Sequence, residues 1–269
     1  MTNLISLTTD FGLADGFVGI MKGVMLSINP EARFVDITHE IPPQDIQQGA
    51  FHLATSIPYF PADAIHLCVV DPGVGSERRA IAVQVGKSTL VGPDNGVLSL
   101  AVDALRQQSG AEPRAFELNN PRYWLERVSS TFHGRDIFSP SAAYLSRGVP
   151  LTELGTPVAD YVTLAPSAPS RHEDGSIAGH IIHIDRYGNI VSDIQASLLE
   201  HLAPDHIVVS IGGRKIHGLA RTYSDVEPGE FAALVGSPWR LEVARRNGDA
   251  AEALGVGVGD PIVVHVKSE

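Results

Sequence analysis

The first half of the chain alternates between two apolar rhythms. Leu4 to Leu7 is a short apolar run ending in Thr8-Thr9-Asp10-Phe11-Gly12, which predicts a strand that enters a polar turn. Phe17, Ile20, Met21, Val24, Met25 and Ile28 then recur at i, i+3, i+4, i+7 spacing. That spacing predicts a helix with one apolar face, stopped by Asn29-Pro30. Residues 33–37 and 65–70 predict further strands, as do 81–85 and 89–91, and helices are predicted at 45–59, 97–107 and 139–145. Such alternation predicts an α/β domain whose mainly parallel sheet is flanked by helices on both faces. Ligands of these sheets bind beyond the carboxyl ends of the strands, and Asp10, Asp71 and Asp94 each follow a predicted strand.

The rhythm changes near residue 165. Residues 166–175, Pro-Ser-Ala-Pro-Ser-Arg-His-Glu-Asp-Gly, predict an exposed linker. Beyond it, short apolar runs at 177–184, 206–211, 231–235 and 261–266 are separated by glycine-bearing turns, and only 249–254 predicts a helical turn. This is the signature of a small β-barrel or sandwich. The expected organisation is therefore an N-terminal α/β domain over 1–165, a linker over 166–175 and a C-terminal β-barrel-like domain over 176–269.

Composition narrows the function classes. Twenty basic against 31 acidic residues give a net charge of −11, unsuited to nucleic acid or to an anionic membrane surface. Cys68 is the one cysteine and sits in an apolar run, so it reads as a buried structural thiol. The N-terminus has neither a basic region nor a long apolar stretch, and no run approaches a membrane span, so a cytoplasmic protein is expected.

The candidate chemistry lies in polar turns. Residues 71–78, Asp-Pro-Gly-Val-Gly-Ser-Glu-Arg, follow a strand but lack the third glycine of a dinucleotide loop. A tight turn presenting Asp71 and Arg78 fits them better than a dinucleotide loop, although for the segment alone a plain Asp-Pro turn with a surface arginine is the better reading. Thr131-Phe-His133-Gly-Arg-Asp136-Ile-Phe-Ser-Pro140 groups a histidine, an arginine and an aspartate ahead of a helix. Gly92-Pro-Asp-Asn-Gly96 reads singly as a turn, as does Asp185-Arg-Tyr187-Gly-Asn189 at a strand end. Residues 237–245 read as a charged edge strand. Asp10, Asp71, Asp94, His133 and Asp136 carry metal-binding atoms, but there is no HxH or HExxH pair, and no metal is expected. A GxSxG nucleophile elbow is also absent.

Together, TTDFG at 8–12, DPGVG at 71–75, GPDNG at 92–96, TFHGRDIFSP at 131–140 and DRYGN at 185–189 resemble one family across nearly the whole chain. They are similar to the S-adenosyl-L-methionine (SAM) hydroxide adenosyltransferases, hydrolase relatives of the SAM-dependent fluorinating and chlorinating enzymes. The resemblance implies SAM as substrate, no cofactor, and a homotrimer with the substrate between the first domain of one subunit and the second domain of the next. It implies that Asp71, Arg78 and His133 hold the attacking water and that Asp10 holds the ribose hydroxyls. Asn95, Phe132, Asp185, Tyr187, Asn189, Tyr223, Ser237, Glu242 and Arg245 match positions that line or bind the rest of the substrate. Two departures stand out: Val191-Ser-Asp193 where relatives commonly show Thr-Asn, and Pro238-Trp-Arg240 after the matching serine. The reaction implied is hydrolysis of SAM to adenosine and methionine. The alternatives are a SAM-dependent halogenase and a non-catalytic module that binds SAM or adenosine.

Overall fold

The computed structural model describes residues 3–165 and 167–266. The chain divides into two compact units, residues 1–165 and 166–269.

In the first unit the strands are β1 (Leu4–Thr9), β2 (Arg33–Thr38), β3 (Ile65–Val69), β4 (Ala80–Val85), β5 (Ser88–Pro93), β6 (Arg114–Glu117) and β7 (Thr156–Val158). The helices are α1 (Phe17–Ile28), α2 (Ile46–Ser56), α3 (Ser99–Ser109), α4 (Ser139–Ser146) and α5 (Leu151–Leu154). The sheet order is β2-β1-β3-β5-β4-β6-β7. The expected parallel pairing holds from β2 to β5, whereas β5-β4-β6-β7 pair antiparallel. A two-residue hairpin between β4 and β5 leaves no length for a crossover helix, and that forces the change of direction.

Strand alternation sends side chains to two separate cores. Ile5, Leu7, Ile65, Leu67 and Val69 pack with Met21 and Met25 of α1 and with Phe138 and Ala142. Cys68, Val70, Ile81, Val83 and Leu90 pack on the other face with Leu53 of α2 and with Ala101 and Leu105 of α3. Cys68 is thus a buried thiol, and burial pushes its pKa up. The apolar face of α1 is wider than its core stripe: Met21 and Met25 are fully buried, while Phe17 and Ile20 remain exposed.

The second unit contains β8 (Ser170–Arg171), β9 (Ile177–Ile184), β10 (Ile190–Gln195), β11 (Ile207–Ile211), β12 (Arg214–His217), β13 (Phe231–Val235), β14 (Arg240–Arg245), β15 (Pro261–Val266) and the short helix α6 (Ala250–Leu254). One antiparallel sheet runs β12-β11-β15-β9-β10-β14-β13, with β8 paired on β9. Part of the expected linker is therefore strand: Ser170 and Arg171 pair with Ala178 and Ile177. Ala220, just after β12, donates its N–H to Ala233 O of β13 at 2.8 Å, so the sheet curls almost into a closed barrel. Its interior is filled by alternate residues, among them Ile181, Ile190, Val209, Leu241, Val243, Ile262 and Val264.

Candidate active site

Because β1, β3 and β5 run parallel, the residues that follow them, Asp10, Asp71 and Asp94, emerge at one edge of the sheet. The turn after β3 is closed by Val74 N–H on Asp71 O at 3.2 Å and by Ser76 N–H on Gly73 O at 3.1 Å. Gly75 has φ +77°, and a Cβ there would lie 2.3 Å from the Ser130 carbonyl oxygen. Only glycine lets this turn seat against the 129–131 loop, and that loop leads directly to His133.

The seating brings residues 55 apart into one hydrogen-bonded set. Arg78 Nε donates to Asp71 Oδ1 at 2.9 Å, and Arg78 Nη2 donates to Asp71 Oδ2. Nη2 also lies 2.8 Å from His133 Nδ1. The Phe138 ring lies beneath the guanidinium, its centroid 5.1 Å from Cζ. The Asp71 and Arg78 side chains are 5% and 10% exposed, so this ion pair is shielded from bulk water. His133 enters the set from the start of a π-helical turn, residues 134–138, a feature that recurs at functional sites.

An arginine side chain only donates, so His133 Nδ1 must accept. The ring is therefore neutral, with its proton on Nε2. Burial pushes the imidazole pKa below its ordinary value, and the charge on Arg78 pushes it the same way, against the pull of Asp71 and Asp136. Protonation at Nδ1 would set an N–H against the Arg78 N–H. Activity that depends on this set should persist through the ordinary imidazole range, about pH 6.5, and fall only below it. A kcat/KM profile from roughly pH 5 to 8 tests this; an acid limb centred above the ordinary imidazole value would contradict it.

A cavity of about 410 Å³ opens beside the set, lined in part by Phe11, Phe17, Asp71, Phe132, His133 and Arg135. The rings of Phe11, Phe17 and Phe132 pack against one another with centroids 5.3–5.8 Å apart. Phe17 is a site-lining residue that sequence reasoning missed, because its helical spacing reads as core. A larger hollow of about 600 Å³ lies among Ile65, Gln84, Lys87, Thr89 and Arg114, and none of the polar-turn residues line it.

The remaining carboxylates of the first unit divide by partner. Asp94 is held by Arg79 at 2.8 and 2.6 Å and by Val162 N–H at 2.7 Å. Asp136 is held by Arg135 at 2.5 and 3.0 Å and by Ser129 N–H at 2.7 Å. Both are spent on structure. Asn95 bridges Val70 O and Val97 N–H at 2.9 and 3.1 Å, a staple between the ends of β3 and β5. Asp10 accepts one bond, Gln44 N–H on Oδ2 at 2.8 Å, and among the described residues its Oδ1 accepts none. No cluster of three or more His, Cys, Asp or Glu side chains able to hold a metal occurs among the described residues. Nor does any described helix have the length and apolarity to cross a membrane.

In the second unit, Asp185 Oδ1 accepts the N–H groups of Tyr187 and Asn189 at 2.8 and 2.9 Å, and Oδ2 accepts Asn189 Nδ2 at 2.9 Å. Tyr187 is left 77% exposed at the tip of this loop. Glu242 on β14 is buried and accepts the Tyr223 hydroxyl on Oε1 at 2.7 Å. Burial raises the Glu242 pKa, and the charge on Asp185 adds to the effect while the Tyr223 bond opposes it. Asp185, Tyr223 and Glu242 thus form one group. Ser237 lies in the exposed β13–β14 turn, whose tip is Trp239 at φ +58°. Arg245 is apart from them: it faces the other side of β14, donating to Gly229 O at 3.0 Å and lying over Phe231.

Two family models match the chain. The SAM hydroxide adenosyltransferase N-terminal domain covers residues 5–155 and the corresponding C-terminal domain covers 179–263. The chain belongs to the SAM hydroxide adenosyltransferase family. Within it, a Salinispora tropica protein named (R)-S-adenosyl-L-methionine hydrolase is 45% identical over 98% of each chain. A Thermus thermophilus protein of the same name is 40% identical over 94% of this chain and 96% of its own. A Nocardia brasiliensis protein named fluorinase is 24% identical over 98% and 97%. Among solved structures, an uncharacterized conserved protein from Thermotoga maritima superposes with a TM-score of 0.89 at 34% identity, covering 97% of this chain and 99% of that one. The Asp71–Arg78–His133 set and its cavity lie in the unit matched by the N-terminal family model.

Proposed function

We propose that this chain hydrolyses SAM to adenosine and L-methionine. The observation that carries the reading is the Asp71–Arg78–His133 set, joined through Arg78 by hydrogen bonds and opening onto a cavity of about 410 Å³. Family membership and the names of the relatives at 40–45% identity support the same substrate.

In this reading a water oxygen attacks the ribose C5′, the C5′–S bond breaks, and methionine departs as a neutral thioether. A sulfonium leaving group needs no general acid. The protein's task is to place water and take its proton. Bulk water, with a pKa of about 15.7, is not ionised beforehand, so proton loss accompanies attack. Asp71 accepts that proton: each carboxylate oxygen keeps acceptor capacity beyond its bond to Arg78. Arg78 fixes the carboxylate plane by its two-point grip. His133 donates from Nε2 to one lone pair of the water and leaves another directed at carbon. Attack of a hydroxide-like oxygen on a cation removes charge, which a preorganised, water-poor pocket favours.

Asp10, with one oxygen uncommitted, is assigned to the ribose hydroxyls. Phe132 lines the pocket, and Asn95, which bridges Val70 O and Val97 N–H, is assigned to substrate binding. Asp185, Tyr187, Asn189, Tyr223, Ser237 and Glu242 are assigned to the adenine and methionine ends, and Arg245, on the opposite face of β14, is left out of that group. We place them over the water site of a neighbouring subunit in a homotrimer, an arrangement that would use the exposed rings of Tyr187 and Trp239.

A halide at the water position would face the Asp71 carboxylate, and that repulsion favours water. Chromatography after incubation with SAM, with and without chloride, separates the readings. Adenosine plus methionine is the expected result. 5′-Chloro-5′-deoxyadenosine would overturn it in favour of halide transfer, and unchanged SAM would leave a binding module.

A further inference from the structure

Thr9 and His39 lie outside the water set, and both are buried. Thr9 Oγ1 is 2.9 Å from His39 Nδ1. Across the ring, His39 Nε2 lies 3.1 Å from Asp36 Oδ1, off the line of an ideal hydrogen bond. Asp36 Oδ2 in turn accepts from Lys22 Nζ of α1 at 2.6 Å. A carboxylate only accepts, so in the neutral ring the nitrogen facing Asp36 carries the proton. His39 Nδ1 is then an acceptor, and the Thr9 hydroxyl must donate to it. The Thr9 oxygen remains free to accept the Phe11 N–H, which lies 3.3 Å away. With the ring neutral, the hydrogen-bond polarity from Phe11 through Thr9 to His39 Nδ1 is thereby set, and His39 Nε2 faces Asp36 as an electrostatic contact.

The residue between Thr9 and Phe11 is Asp10. Backbone bonds tie the same turn to the same loop: Gly12 N–H to His39 O at 2.8 Å and Ile41 N–H to Thr9 O at 3.4 Å. Gln44, whose N–H holds Asp10 Oδ2, sits further along that loop with φ +67°. The turn after β1 and the loop after β2 are therefore joined on both sides of Asp10, with His39 at the centre.

We infer that His39 is a positioning residue for Asp10: the Lys22–Asp36–His39–Thr9 chain sets the direction in which the Asp10 carboxylate leaves β1, and with it the affinity for the ribose diol. This rests on the proposed role of Asp10. A carboxylate that binds two adjacent hydroxyls must meet both at once, so a small rotation of the turn loses one of the two bonds. The chain touches neither water nor leaving group, so it acts on binding and not on the chemical step.

The test measures the Kd of adenosine calorimetrically, together with KM and kcat for SAM. Asp10→Ala is the reference and should weaken adenosine by at least about tenfold. Thr9→Val keeps the shape and removes the donor; it and His39→Ala should each weaken adenosine about tenfold, raise KM in step and leave kcat within about twofold. Thr9→Ser should stay close to wild type. The Thr9→Val/His39→Ala double variant should bind no more weakly than either single variant, the sign of a shared path. A merely structural pair would lower Tm and leave Kd and KM in place. Unchanged adenosine affinity in folded Thr9→Val, beside a weakened Asp10→Ala, overturns the positioning role. Unchanged affinity in Asp10→Ala overturns the ribose assignment, and the inference with it. Should His39→Ala fail to fold, Thr9→Val and Asp36→Asn carry the test.

Discussion

Replacing Asp71 by asparagine is expected to lower kcat for SAM hydrolysis by roughly 10³-fold, within the range of lost general-base catalysis, while KM changes by no more than a few-fold. The substitution keeps the size of the side chain and removes one acceptor. In the wild type both carboxylate oxygens are gripped by Arg78, and each still has room for the proton of the water. With an amide, the nitrogen would face an arginine N–H, so the grip loses one of its two bonds and the water loses its proton acceptor. Steady-state kinetics with chromatographic detection of adenosine would show the change. A wild-type kcat would remove Asp71 from the mechanism.

Arg78 should show two separable effects. Arg78→Ala is expected to reduce kcat by at least about 10²-fold, since both the carboxylate plane and the His133 tautomer lose their reference. It also leaves a 5% exposed carboxylate without its counter-ion, a change that typically costs about 3–5 kcal/mol. Urea unfolding should register that loss, and adding Asp71→Asn should restore part of the stability without restoring activity. Arg78→Lys is not conservative, because an ammonium cannot grip two carboxylate oxygens as a fork and also reach His133. If Arg78→Ala unfolds at the wild-type urea concentration, the buried pair is not held as ions.

Much of the first unit was legible because its elements advertise themselves locally. The period of α1 and the apolar run of β3 follow from residues a few positions apart. Some of the strands missed owe their stability to neighbours. β6 (Arg-Ala-Phe-Glu) and β12 (Arg-Lys-Ile-His) carry charges at terminal positions and form because a partner strand is already present, while β14 (Arg-Leu-Glu-Val-Ala-Arg), whose charges read as an edge strand, lies between β10 and β13. The wide apolar face of α1 likewise predicted a single buried stripe, whereas the fold turns Phe17 toward the cavity.

Sequence alone determined the kinds of element, the switch from α/β to all-β near residue 165, and the motifs that point to one family. Those properties depend on short-range periodicity and on residue identity. What it could not do was sort the polar turns. Asp71, Asp94 and Asp136 look equally chemical in the chain, each in a polar turn. Tertiary structure separates them by what else is in reach. Asp94 and Asp136 are closed off by an arginine and a backbone N–H, while the grip on Asp71 passes on to His133, 55 residues beyond Arg78, at the wall of a cavity. Whether a carboxylate is saturated or available depends on distances of about 3 Å between residues far apart in the chain, and only the packed fold sets them.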